Sequence, residues 1–131
     1  MTAVYDIIFD GGSKGNPGLG YGSYQITRDR AIVAHTQLDY GDNVTNNQAE
    51  YWTLLNALRW LADDLGDEAR DASVTVHGDS QLVIKQLKGE WKIKDAKLRG
   101  IAMETRAQMD RFKDVSLAWH RRDVSVQQLG H

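Results

Sequence analysis

The sequence predicts an α/β fold: a mixed sheet of five strands, the first three antiparallel, with helices covering it. Three observations carry this. Five stretches alternate apolar with polar residues or run in Ile, Val, Tyr and Phe, the signature of strands. Longer stretches repeat apolar residues at helical spacing. The order is βββαβααβ, and strand–helix–strand units imply right-handed parallel crossovers.

Val4–Asp10 reads as the first strand, and GGSKGNPG as the turn that breaks it. Tyr21–Arg28 and Ala31–Tyr40 follow as strands, joined at Asp29-Arg30 without the favoured Asn-Gly chemistry. Thr45 and Gln48 have the spacing of a capping box. Tyr51, Leu54, Leu55, Leu58, Leu61, Ala62 and Leu65 then recur at helical intervals, and Gly66 suits a helix end. Ser73–Asp79 is a strand, Ser80–Leu87 a short helix, and Leu98 to Phe112 a longer one. Val115, Leu117 and Trp119 alternate as the last strand.

At 131 residues the chain is sized for a single domain, 1–131. Its 26% charged residues exclude a collagen-like, disordered or membrane class. The opening MTAVYDIIFD carries acids where a leader would carry bases. There is no Cys, so disulfides, thiolate metal sites and thiol nucleophiles are excluded. A cytoplasmic monomer is the expectation. Residues 1–84 carry 5 basic and 12 acidic side chains, whereas residues 85–122 carry 11 and 5. A basic segment on an acidic body suggests a polyanion at one place and cations at another; a solvated basic helix is the plainer alternative.

Three acids stand in unusual places. Asp10 and Asp79 each end a strand, where open α/β sheets gather ligands. Glu50 precedes Leu54 and Leu58 by four and eight residues, on the apolar stripe of the long helix. Taken singly, Asp10 could be a turn residue, Glu50 a first-turn acid facing the helix dipole, and Asp79 an N-cap. Taken together they would repel one another unless a cation meets them. All-oxygen ligation suits Mg²⁺ or Mn²⁺ rather than zinc. GGSKGNPG lacks the Lys-Ser/Thr ending of a phosphate-binding P-loop and leads into a strand, not a helix. The four histidines show no metal-ligand spacing, and His77 reads as a packed or hydrogen-bonded strand residue.

FDGGSKGNPG with GYGSY, TNNQAEY, HGDSQLVIKQLKGEWKIK and the closing LAWHRR occur in that order across nearly the whole chain. With these motifs the sequence resembles type 1 ribonuclease H, in the short bacterial and archaeal branch without the basic protrusion. The resemblance implies a five-stranded mixed sheet with helices on both faces. It implies metal-dependent hydrolysis of the RNA strand of RNA–DNA hybrids, leaving 5′-phosphate and 3′-hydroxyl ends. Asp10, Glu50 and Asp79 match the family's first three acidic positions, which would hold two Mg²⁺ or Mn²⁺ ions. Asn16, Asn47 and Gln81 match its minor-groove contacts, and Thr45 and Asn46 its pocket for a DNA phosphate. Gly11 and Gly12 would let backbone approach the RNA. Trp91 and Lys92, with Lys85, Lys88 and Lys94, would form the basic handle. Double-stranded RNA is a second candidate substrate.

The tail departs from the pattern. The resembling branch carries Arg, two residues, Asn, two residues, Ala-Asp, the last being a fourth acid. Here Arg122 is followed by Ser125, Gln128 and Leu129, and no Asp or Glu follows Asp123. A full final helix is not expected. Either three carboxylates suffice with a loosely held second ion, or Asp123 substitutes, or His131 or the terminal carboxylate does. The first is favoured, because a helix cannot bring position 123 to the place of position 129 without rebuilding the loop before it. A hybrid-binding module with weakened catalysis is the alternative function; an integrase-like nuclease of the same fold fits the amide set less well.

Overall fold

The computed structural model describes residues 2–129, the side chain of Val126 excepted. Strands β1 (Ala3–Lys14), β2 (Gly18–Arg28) and β3 (Ala31–Val44) form an antiparallel meander. Helix α1 (Asn46–Leu65) and a 3-10 turn (Gly66–Asp71) lead to β4 (Ala72–Gly78). Helices α2 (Gln81–Leu87) and α3 (Ala96–Met109), strand β5 (Asp114–Trp119) and helix α4 (Arg122–Leu129) complete the order. The sheet runs β3-β2-β1-β4-β5, with β4 and β5 parallel to their neighbours.

Alternation decides which face is buried. Tyr5, Ile7 and Phe9 of β1 point to one side, where Tyr24 and Ile26 of β2 and Val74 and Val76 of β4 join them. Helix α1 covers that face with Tyr51, Leu54, Leu58 and Leu61, all fully buried. Each buried Leu contributes about 2 kcal/mol by removal from water. Helix α3 packs on the outer side of α1 through Leu98, Ile101 and Ala102. Helix α4 lies across the other face of β1 and β2, over Ile8, so helices cover both faces as expected.

The capping box is present: Thr45 Oγ1 accepts from Gln48 N at 3.2 Å, and Thr45 N donates to Gln48 Oε1 at 3.1 Å. The Asp29-Arg30 turn places both residues at positive φ, 52° and 68°, which is what a two-residue hairpin requires even without Asn-Gly. Two expectations need correction. GGSKGNPG does not break the first strand at its start, because Gly11 to Lys14 stay paired with Gly22 to Leu19, and the reversal comes at residues 15–17. A final helix does form, two turns long, anchored by the buried Ser125 and Leu129.

Candidate active site

The three acids come from β1, from α1 and from the link after β4, and Asp10 and Asp79 lie near enough to act on Glu50 by charge. Gly11 makes the meeting possible. A Cβ there would lie 2.8 Å from the backbone of Ala49 and Glu50, so only glycine lets β1 press against the first turns of α1. This contact sets Glu50 beside Asp10. Gly78 does the same for β4, where a Cβ would strike the Phe9 ring at 2.5 Å.

None of the plainer roles holds. Asp10 is a mid-strand residue, 3% exposed and paired in register with Ser23 rather than sitting in a turn. Its Oδ1 accepts from Gly11 N at 2.9 Å. Glu50 lies beyond the first turn of α1. Asp79 is not the cap of α2, since Ser80 fills that position with its Oγ accepting from Val83 N at 3.2 Å.

Electrostatics binds the trio together. Burial first, and then the charges of Asp79 and Asp10, push the Glu50 carboxyl up from the ordinary 4.5 to about 7; a hydrogen bond from Ser80 and the charge of Arg122 oppose the rise. One Oδ of Asp79 is buried without a hydrogen-bond partner. Among the described residues no three acids or histidines stand close enough to cage an ion as they are. An all-oxygen donor set with an unsatisfied buried carboxylate oxygen fits a hard divalent cation.

Around the trio, the turn between β1 and β2 is laced to the start of α1. Asn46 Oδ1 accepts from Ser13 N at 2.8 Å, and Asn46 N donates to Asn16 Oδ1 at 3.1 Å. With Oδ1 of Asn46 engaged, its amide NH₂ is the end able to donate outward. Asn47 is partly buried in the same turn, and Gln81 is exposed at the start of α2, next to Ser80. Gly12 gives its side-chain space to the Tyr21 hydroxyl, 2.7 Å from where a Cβ would be. The missing side chains of Gly11 and Gly12 thus serve packing within the protein.

Trp91 and Lys92 stand apart from the acids, on the loop between α2 and α3, Trp91 being 45% exposed. Lys85 pairs with Glu90 at 3.5 Å, leaving Lys88, Lys92 and Lys94 exposed. The loop hangs on a residue the sequence did not single out. Buried Gln86 accepts from the Tyr51 hydroxyl at 2.7 Å, donates to the Lys92 carbonyl at 3.2 Å, and its own carbonyl accepts from Arg106 at 2.8 Å. His77 pairs with Asp6 at 3.0 Å, a hydrogen-bonded strand histidine as expected.

In the tail, Asp123 is exposed and turns to Arg121 at 3.4 Å. Arg122, at the start of α4, lowers the Glu50 pKa by its charge, the smallest of the influences on that carboxyl. Leu129 is 3% exposed and packed. His131 and the terminal carboxylate lie outside the described residues. A cavity of about 620 Å³ lies between the 3-10 turn and the end of α3, and none of the three acids lines it. A polymer laid across a surface needs no cavity, so the charge cluster is the better guide to the site.

A family model described as "Reverse transcriptase-like" matches residues 9–127. Ribonuclease HI of Halobacterium salinarum is 41% identical over 113 residues, covering 83% of this chain and 52% of the relative. Ribonuclease H of Albidiferax ferrireducens is 36% identical over 133 residues, covering 100% of this chain and 77% of the relative. The chain belongs to the type 1 ribonuclease H family. The chain spans about half the length of the Halobacterium relative. The crystal structure of LC11-RNase H1 in complex with RNA/DNA hybrid superposes on it with a TM-score of 0.86 at 29% identity, over 94% of this chain and 89% of that one. The strand order and the mixed sheet are therefore those of ribonuclease H. The membership bears out the ordered motifs, and the three acids lie within β1, in α1 and just after β4 of this ribonuclease H fold.

Proposed function

We propose that this chain is a metal-dependent endoribonuclease that hydrolyses the RNA strand of RNA–DNA hybrids, leaving 5′-phosphate and 3′-hydroxyl ends. The observation that carries the reading is the convergence of Asp10, Glu50 and Asp79, where burial first and then the charges of Asp79 and Asp10 raise the Glu50 carboxyl to about 7. Family membership and a family structure holding RNA/DNA hybrid support the substrate.

Asp10, Glu50 and Asp79 would hold Mg²⁺ or Mn²⁺. Divalent cations, when bound, supply charge neutralisation at the phosphorus and activation of the attacking water. The chain's own residues do the rest. Asp10 is fixed by its buried strand position, and Ser80 steadies Glu50 by a hydrogen bond. The amides of Asn16, Asn47 and Gln81 would read the minor groove, where the 2′-hydroxyl distinguishes RNA. Thr45 and the outward NH₂ of Asn46 would take a DNA phosphate. Trp91 and Lys92, with Lys88 and Lys94, would bind backbone at a distance from the acids, without reading sequence.

A second reading is a hybrid-binding module with weak turnover. The charge of Arg122 acting on Glu50, and buried Leu129 at the family's fourth acidic position, favour it. One experiment separates the two. End-labelled hybrid is incubated with the wild type or Asp79→Asn, in Mg²⁺, Mn²⁺ or EDTA. The enzymatic reading expects RNA-strand cleavage by the wild type, better in Mn²⁺ than Mg²⁺ because Mn²⁺ is held more tightly and with less strict geometry. It expects none from a folded Asp79→Asn, and none in EDTA. Retention of hybrid without cleavage in either metal would replace it by the module.

A further inference from the structure

Asp79 lies in the gap between β4, which ends at Gly78, and α2, which begins at Gln81. The sheet ladder closes before it: the Gly78 carbonyl accepts from His120 N at 2.9 Å. The helix opens after it: the Ser80 carbonyl accepts from Ile84 N at 3.2 Å. The Asp79 carbonyl between them is left to neither element. It accepts instead from the indole Nε1 of Trp119, at 2.9 Å. Trp119 is the last residue of β5 and stands opposite Gly78 in the register.

Two further observations give this contact its meaning. The buried Oδ2 of Asp79 has no hydrogen-bond partner, so no side-chain contact holds that oxygen, and its direction depends on the backbone beneath it. Trp119 is 46% exposed and takes no part in the apolar core, so packing does not account for the indole.

We infer that Trp119 is a positioning residue whose indole N–H fixes the Asp79 backbone and so aims the Asp79 carboxylate at the cation site. The inference rests on the metal-dependent reading above. Groups that orient a metal ligand are worth roughly tenfold or more in affinity when they touch the ligand's side chain. A contact to the ligand's backbone acts one rotation further away, so an effect at or just below the low end of that range, about fivefold to tenfold, is expected.

The test is Mn²⁺ binding to the full chain without substrate, by titration calorimetry, beside hybrid cleavage at saturating Mn²⁺. Trp119→Phe keeps an aromatic ring with strand preference and removes the donor, along with the second ring of the half-exposed indole. Its Mn²⁺ Kd should rise about fivefold to tenfold, while the KM for hybrid stays at the wild-type value and kcat recovers at high Mn²⁺. Trp119→Leu, also lacking the donor, should show the same Kd. Leu117→Ala loosens the same strand by trimming a partly buried side chain that packs on the core. It should lower the melting temperature and leave Mn²⁺ affinity unchanged. Wild-type affinity in both Trp119 variants would overturn the inference, as would equal weakening by Leu117→Ala. A wild type that neither binds Mn²⁺ nor cleaves hybrid would instead overturn the metal-dependent reading on which the inference stands.

Discussion

Replacing Glu50 by Gln should stabilise the metal-free protein while removing its activity. Burial, then the charges of Asp79 and Asp10, raise the Glu50 carboxyl from 4.5 to about 7 in the folded chain. An acid raised on folding binds more protons in the native state than in the unfolded one between those two values. Stability is therefore present in full at low pH and is lost as pH rises from about 4.5 to about 7. At about 1.4 kcal/mol per pH unit of displacement, the ionised Glu50 costs about 3 kcal/mol at pH 8 and about 1 kcal/mol at pH 5. Gln keeps the shape and a partner for Ser80 but carries no charge. Urea unfolding in EDTA at the two pH values measures the effect. The advantage of Glu50→Gln over the wild type should be larger at pH 8 than at pH 5 by about 2 kcal/mol. Saturating Mn²⁺ should narrow the gap at pH 8, because a cation that binds only the native wild type relieves the same repulsion. An advantage that does not change with pH, or a variant less stable than the wild type at pH 8, would refute the repulsive cluster.

Alanine at both Lys92 and Lys94 should weaken binding of all duplexes alike and flatten the salt dependence by about one to two in log–log slope, read in a filter-binding titration. Asp123→Asn should change cleavage by less than about twofold, since its carboxylate is exposed and turned to Arg121; loss of activity as complete as in Asp79→Asn would make Asp123 a metal ligand. Gly11→Ala should cost about 2 kcal/mol in a denaturant melt, because its Cβ would meet the α1 backbone at 2.8 Å and backbone cannot swing aside. A stability unchanged by that methyl would mean α1 is not pressed against β1 as described.

Much of the fold was legible because it rests on local chemistry. Richness in Ile, Val, Tyr and Phe placed the first strand, alternation placed the fourth and fifth, the apolar stripe placed α1, and the Thr45–Gln48 box and Gly66 placed its ends. The first strand was read too short because glycines signal a turn, yet Gly11 and Gly12 are held in the ladder by β2. The final helix was missed because its few apolar residues find their partners only on the far face of the sheet.

The site divides along the same line. The sequence by itself singled out which acids could come together: Glu50 interrupts an apolar stripe, Asp79 follows a strand, and Asp10, read as a strand end, in fact lies within β1. The amides and the basic loop were legible as motifs. Only the tertiary structure decided how these groups are held. That Gly11 admits α1, that Ser80 touches Glu50 and that Gln86 carries the handle loop are contacts between residues far apart in the chain. Periodicity reports which face a side chain takes relative to its own element. It carries no information on which atom of another element completes its hydrogen bonds, and the charge of a buried carboxylate is set by those atoms.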